Sequence, residues 1–248
     1  MPDEVQTLAA GFRDGVADAL GNRLVCLLLL GSVAFPGFEP HYADIDFHCV
    51  VDGELGSAEE DALARFHARL ATEHALGQLV DGSYIPLAKV QAMPPQRLDG
   101  VAEGVFRRGG ASRDRGGWAL ERAHLHAGAF VLLQGRDPRD IYPRPDESDL
   151  TAALDEEFHE LALTRMLERH PVYSTLNLCR LVYSVETGDV VVSKVTSAEW
   201  ALSRLPDKWR PLVRDALALY RGDRRVADLA DLRAFYRYVG AQYFTRAR

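Results

Sequence analysis

The chain has 248 residues, 47% hydrophobic and 26% charged, with a formal net charge of −7; this excludes a disordered chain and disfavours grip on duplex nucleic acid, which needs a basic surface. Cys26, Cys49 and Cys179 are widely spaced among apolar residues with no CxxC pair, so they read as buried free thiols of a reducing cytosol and not as zinc ligands. The start Met1-Pro2-Asp3-Glu4 lacks the basic segment of a signal peptide and the longest apolar run has strand length, so a cytoplasmic protein without a membrane span is expected.

Val5, Leu8, Ala9, Phe12, Val16 and Leu20 recur at helical spacing, and Gly21-Asn22 ends that helix. Leu24 to Leu30 then forms a buried strand that runs into Gly31-Ser32. Ile45, Phe47, Cys49 and Val51 alternate with Asp44, Asp46, His48 and Val50, predicting a second strand, closed by Asp52-Gly53, whose polar face carries the carboxylates. Ser57 with Glu60 three residues on predicts a capping box, opening a helix to about His74 with Leu63, Phe66 and Leu70 inside. A third strand is expected from Gln78 to Leu87. The order helix, strand, strand, helix, strand implies a small mixed sheet carrying helices.

Phe106-Arg107-Arg108-Gly109-Gly110 through Gly117 is basic and glycine-rich, which predicts a mobile loop before Trp118 restarts order. From Ser148 onward the pattern is helical, broken at His170-Pro171, Gly188, Pro206 and Gly222. Pro171 suits a first turn, and Ser193 and Asp207 suit N-caps. Prolines and acids cluster from Pro143 to Asp149, placing a boundary between residues 1–145 and 146–248. The expected fold class is α+β: a domain with a small mixed sheet and flanking helices, then an all-α helical bundle.

Eleven residues separate Gly31-Ser32 from Asp44-Ile45-Asp46. Residues i and i+2 of a strand share a face, so Asp44 and Asp46 present two anionic oxygen donors together, as Mg²⁺ requires. A Gly-Ser turn leaving a buried strand offers backbone N–H groups and a hydroxyl to phosphate oxygens. A phosphate cradle beside a metal site suggests nucleotidyl transfer. The plainer alternatives are a solvated strand end for Asp44-Ile45-Asp46 and a turn for Asp81, which precedes Gly82-Ser83. His48 shares the acidic face and reads as a hydrogen-bonded neighbour. His124 and His126, two apart on a helix, face different sides and read as structural. The segment from Phe106 to Gly117 reads as a lid or surface loop and not as an RNA contact, being short in an acidic chain. Trp200 and Trp209 read as core.

The Gly31-Ser32 and Asp44-Ile45-Asp46 pair resembles the signature of the nucleotidyltransferase superfamily. Leu176-Asn177-Leu178-Cys179-Arg180-Leu181-Val182-Tyr183, Glu186-Thr187-Gly188, Ser193-Lys194 and Glu199-Trp200-Ala201-Leu202 resemble the helical domain of the streptomycin and spectinomycin adenylyltransferases. Trp118 to Pro138 resembles the segment linking the two domains of that family. The resemblance implies a nucleotidyltransferase domain, a helical domain and a catalytic site between them. It implies an enzyme that transfers AMP from Mg²⁺-ATP to a hydroxyl of a small cationic acceptor, an aminoglycoside or aminocyclitol.

Residue by residue, the resemblance gives Asp44 and Asp46 the metals and Ser32, beside Gly31, a phosphate contact. Arg180 and Lys194 match cations that hold the triphosphate. Asp81 falls where drug-modifying relatives place a glutamate assigned as general base; being one methylene shorter, it reads either as that base or as a metal ligand. Ala43 stands where a serine often precedes the first aspartate, and Leu167-Glu168-Arg169-His170 where those relatives carry an acid for the drug's amines. Arg180 and Lys194 are fourteen residues apart, roughly 21 Å along a straight helix, so they converge only if the chain returns after Gly188. Without the resemblance, Arg180 pairs with an acid such as Glu186 and Lys194 is a surface lysine. The other functions open to this sequence are adenylylation of a protein or another metabolite, and nucleotide binding without turnover by a regulator.

Overall fold

Helix α1 (Asp3–Leu20) buries Val5, Leu8, Ala9, Phe12, Val16 and Leu20 along one stripe. It stops where Gly21 takes a φ of +53°, a backbone conformation that costs glycine little. The computed structural model describes residues 2–39, 44–91, 94–111, 115–223 and 229–244, which divide into two compact units, Met1–Pro145 and Asp146–Arg248.

In the first unit, strands β1 (Leu24–Leu30), β2 (Ile45–Val51), β3 (Val80–Pro86), β4 (Leu98–Ala102), β5 (Val105–Ala111) and β6 (Val131–Gly135) form a mixed sheet in the order β5-β4-β3-β2-β1-β6. Only β2 and β3 are paired in parallel among the described strands. Parallel neighbours need a crossover, supplied here by helix α2 (Ser57–Glu73). One sheet face packs under α1 and α2 through Leu27, Leu29, Phe47, Leu63 and Phe66. The other packs under α4 (Arg115–His126) through Cys26, Leu28, Val50, Ile85, Trp118 and Leu125. Covering on both faces is why β1 is apolar at nearly every position and not alternately.

Three local expectations shift. Helix α2 is capped one residue earlier than the Ser57/Glu60 pattern predicts: the carboxylate of Glu59 accepts the Gly56 N–H at 2.7 Å. Arg23 enforces this frame, donating to Glu59 at 2.6 Å, to the Asp52 carbonyl at 2.8 Å and to the Glu54 carbonyl at 2.5 Å. The third strand starts at Val80, behind a 3₁₀ turn at Gly77–Leu79, and passes at Pro86 into the short helix α3 (Leu87–Val90). Asp207 opens a 3₁₀ turn, Asp207–Trp209, ahead of helix α9 (Arg210–Tyr220), and pairs with Arg210 at 2.8 Å instead of capping.

The larger correction concerns the basic glycine-rich segment. Residues 105–111 are the edge strand β5 and not a loop, and Arg115–Gly117 already belong to α4; residues 112–114 lie outside the described residues. The strand kinks between its Leu98↔Ala111 and Gly100↔Arg107 pairs, where Gly109 has a φ of +55° and donates its N–H to the Asp99 carboxylate at 2.7 Å. Arg108 reaches Glu60 of α2 at 3.0 Å and pairs with Asp61 as well. Such charges on an edge strand also discourage pairing with another chain. Strand β6, within the stretch expected only to link domains, closes the opposite edge against β1.

In the second unit the described elements are helical: α5 (Glu147–Leu163), α6 (Met166–Arg169), α7 (Pro171–Thr187), α8 (Lys194–Arg204), α9 and α10 (Leu232–Val239), followed by a π turn at Gly240–Phe244. Helix α7 is the central one, burying Leu176, Leu178, Cys179, Leu181 and Val182 against Ala198, Val213, Leu217 and Phe235. Pro171 occupies its first turn, Gly188 (φ +75°) ends it, and the Ser193 hydroxyl caps α8 by accepting the Thr196 N–H at 2.9 Å. Trp209 is core, whereas Trp200 is only partly buried, packed against that core and edge-on to Tyr183. Among the described residues no helix is long and apolar enough to cross a membrane.

Candidate active site

Strand β1 ends at Leu30, paired with Asp46, and turns into a 3₁₀ segment, Gly31–Ala34. Gly31 has a φ of +66°, and a Cβ built on it would lie 2.0 Å from Asp46 Oδ2. The position therefore requires glycine twice over, for its backbone and for the carboxylate pressed against it. The Ser32 hydroxyl donates to the Asp44 carbonyl at 3.2 Å, tying the turn to a residue that lies just ahead of β2 and not, as its alternation with Ile45 predicts, within the strand. Gly31, Ser32, Asp44 and Asp46 thus form one cluster. Ala43, the departure noted in the sequence, lies outside the described residues.

Asp81 joins them by register. In the parallel β2–β3 ladder Asp46 is level with Asp81, and neighbouring strands lie about 4.8 Å apart, so the two side chains leave one face side by side. Asp81-Gly82-Ser83 is strand and not turn. Gly82 is bare because a Cβ there would run into the Phe47 carbonyl and ring. Asp46 and Asp81 are half-buried and Asp44 is exposed. Among the described residues no three His, Cys, Asp or Glu side chains gather into a metal cage. Mg²⁺ does not need one, because it keeps several waters and takes one or two carboxylates plus substrate phosphates. An acid pair on adjacent strands beside a Gly-Ser turn has the chemistry of that donor set.

His48 shares the face of Asp46 but is packed into the α4 layer. It is fully buried, its Nδ1 3.1 Å from the Tyr142 hydroxyl and its Nε2 3.3 Å from Glu121 Oε2. The reading as a hydrogen-bonded neighbour holds, and Glu121 and Tyr142 are partners that no local pattern disclosed. His126 likewise serves structure, with Nε2 2.9 Å from the Tyr142 carbonyl, and His124 packs edge-on against Phe35.

In the helical unit, Arg180 lies on α7 and Lys194 opens α8. The Lys194 ammonium sits 4.2 Å from the Tyr173 ring centroid. Tyr173 precedes Arg180 by seven residues, two turns and about 10.5 Å along the same face of α7. The chain from Gly188, through buried Val190 and Val192, therefore returns Lys194 along α7, past Arg180 to the level of Tyr173. The plainer alternative for Arg180, a pair with an acid such as Glu186, is met by a different acid. Arg180 faces Glu157 of α5 at 3.6 Å, while Glu186 accepts from the Tyr243 hydroxyl at 2.7 Å. The stretch before Pro171 includes the short helix α6, whose Glu168 is paired with Arg233 at 2.5 Å. The only trace of the α5 contact in the sequence is Asn177, a polar residue inside an apolar helical run.

Residues 141–242 match the family model described as aminoglycoside adenylyltransferase, C-terminal domain. The chain is 29% identical over 240 residues to the aminoglycoside (3'') (9) adenylyltransferases of Klebsiella pneumoniae and Shigella flexneri, covering 87% of this chain and 86% of each relative. Among solved structures it is similar to spectinomycin adenyltransferase AAD(9) from Enterococcus faecialis, crystallised with ATP and spectinomycin. That likeness has a TM-score of 0.75 at 17% identity and covers 95% of this chain and 98% of that one; it establishes a shared fold. With the acid pair and glycine turn in one unit and the match to the adenylyltransferase C-terminal domain over residues 141–242 in the other, this chain is similar to the aminoglycoside adenylyltransferases along most of its length.

Proposed function

We propose that this chain is an adenylyltransferase that moves AMP from ATP to a hydroxyl of an aminoglycoside or aminocyclitol, the class of acceptor for which its relatives are named. The observation that carries this reading is Asp46 level with Asp81 and pressed against Gly31. Asp44, Asp46 and Asp81 are the residues that would hold Mg²⁺, which when bound supplies positive charge to the transferring phosphoryl group. Asp81, level with Asp46 and a methylene shorter than glutamate, is assigned to that cation in preference to the acceptor hydroxyl. The Gly31-Ser32 turn would hold phosphate oxygens through backbone N–H groups and through the Ser32 hydroxyl once its proton turns from the Asp44 carbonyl to the phosphate, and Arg180 and Lys194 add cationic contacts to the triphosphate. Phosphoryl transfer needs placement and charge neutralisation more than covalent help, and these residues supply both. A net charge of −7 suits a polycationic acceptor.

The test is pyrophosphate release from ATP and Mg²⁺ across a panel of aminoglycosides, comparing the native protein with the near-isosteric Asp46→Asn. Acceptor-dependent release that falls at least ~10²-fold in the variant is expected. Release that persists in the variant contradicts the metal assignment. Transfer of labelled AMP to a protein instead of a drug contradicts the acceptor.

A further inference from the structure

The guanidinium of Arg180 has one described partner, and that partner is itself held. Glu157 Oε2 lies 3.6 Å from Arg180 Nη2 and accepts a hydrogen bond from Asn177 Nδ2 at 2.9 Å. Asn177 and Arg180 are one turn apart on α7, so both face the same point on α5. Asn177 is fully buried, and among the described residues no protein donor reaches its Oδ1. Turning the amide over would aim that oxygen at a carboxylate, so the donor orientation is fixed by charge. A buried amide with only one of its two ends bonded is a poor choice for stability, since leucine at this site would bury no polar group. What the amide does provide is a fixed carboxylate. Glu157 and Arg180 are each about three-quarters buried, with side-chain exposures of 24% and 21%, so their heads meet at the edge of the packed helices. At 3.6 Å the pair is an ion contact that leaves Arg180 hydrogen-bond donors for an anion arriving from solvent.

We propose that Glu157 is the positioning residue for Arg180: pinned by Asn177, it holds the guanidinium toward the triphosphate of ATP. This rests on the assignment of Arg180 to the triphosphate made above. Positioning and simple charge balance predict opposite signs. Deleting an anion beside a phosphate-binding arginine tightens ATP if the anion only competes with phosphate; it weakens ATP if the anion holds the arginine in place.

The experiment measures ATP affinity by calorimetry, and KM for ATP and for the acceptor, in Glu157→Ala, Glu157→Gln, Asn177→Leu, Arg180→Ala and the Glu157→Ala/Arg180→Ala double variant. Arg180→Ala is expected to weaken ATP about tenfold or more, the size of one charge-assisted contact. Glu157→Ala should weaken ATP about threefold to tenfold with the acceptor KM unmoved, and should add nothing once Arg180 is gone. Glu157→Gln, which keeps an acceptor for Asn177, should recover part of the loss, and Asn177→Leu should weaken ATP without lowering the melting temperature. Tighter ATP binding in Glu157→Ala, or the same effect with and without Arg180, overturns the proposal while leaving Arg180 in its role. Unchanged ATP affinity in Arg180→Ala overturns the role of Arg180 itself.

Discussion

Gly31→Ala separates what the fold needs from what the chemistry needs. The added methyl meets two obstacles of different kinds. The first is the backbone, held at a φ of +66°, where a non-glycine residue costs about 1–2 kcal/mol. The second is Asp46 Oδ2, 2.0 Å from the new carbon where ordinary contact begins at 3.4 Å, so the oxygen must withdraw by about 1.4 Å. A carboxylate on a short side chain can do this by rotation at little cost to folding, but it then no longer stands level with Asp81. Misplacement of a reacting group by about 1 Å costs on the order of 10²-fold in rate. The expected result is a melting temperature lower by a few degrees together with a fall in kcat of roughly 10²-fold. Scanning calorimetry alongside steady-state pyrophosphate release measures both, and Mg²⁺ titration should show half-saturation at a higher metal concentration. A folded variant that keeps native kcat refutes the idea that Asp46 acts from the place where it touches Gly31.

Further outcomes follow from burial and capping. His67 is buried beside Tyr84, its Nε2 2.7 Å from the hydroxyl, and burial lowers its pKa from 6.5 to about 3. The unfolded chain takes up this proton below pH 6.5 and the folded one does not, so stability falls as pH drops from 6.5 toward 3. Between about pH 7.5 and 5 the loss from this residue is about 2 kcal/mol, and urea midpoints of native protein and His67→Gln should differ in pH slope by that amount; equal slopes refute it. Glu59→Ala should cost about 1–2 kcal/mol by removing the α2 cap and the Arg23 anchor, whereas Glu60→Ala, a partner of the exposed Arg108, should cost under about 1 kcal/mol; reversed costs in denaturant melts would restore the Ser57/Glu60 frame. Cys26, Cys49 and Cys179 are buried, and burial pushes the Cys26 thiol up to about 12 and the other two well above the usual range. A thiol reagent should find none of them in native protein and all of them after denaturation.

What the sequence disclosed is what short-range chemistry controls. The stripe of α1, the alternation of β2, Pro171 opening α7, Gly188 closing it and Ser193 capping α8 each depend on a few neighbouring residues. What it hid depends on partners far along the chain. The frame of α2 is set by Arg23, thirty-six residues before Glu59, and a capping pattern one residue out of place looks equally good locally. Strand β5 has no apolar alternation because its residues lie at an exposed sheet edge; pairing with β4, the Asp99 bond to Gly109 and the α2 contacts of Arg108 make it a strand. The period of β2 put His48 on the face of Asp46, but no period reveals that α4 covers that part of the face. At the site, the spacing of Gly31-Ser32 and Asp44-Ile45-Asp46 brought out four residues. Their closeness to Asp81 is a property of register, and the partner of Arg180 is a property of helix packing.

The parallel pairing of β2 with β3 also decides where this chain tolerates changes of length. An extra residue in the Asp52–Gly56 turn or behind α2 at Leu76 is absorbed outside the ladder, and Asp46 stays opposite Asp81. An extra residue between Asp46 and Val51, or between Asp81 and Pro86, reverses every side chain beyond it, because the two faces of a strand alternate. One inserted just ahead of Asp81 turns that carboxylate through the sheet into the layer of Phe12, Phe47 and His67. Insertions and deletions compatible with activity should therefore concentrate in the turns that flank α2, and a library of single-residue insertions should map the two strands as a pair of silent intervals.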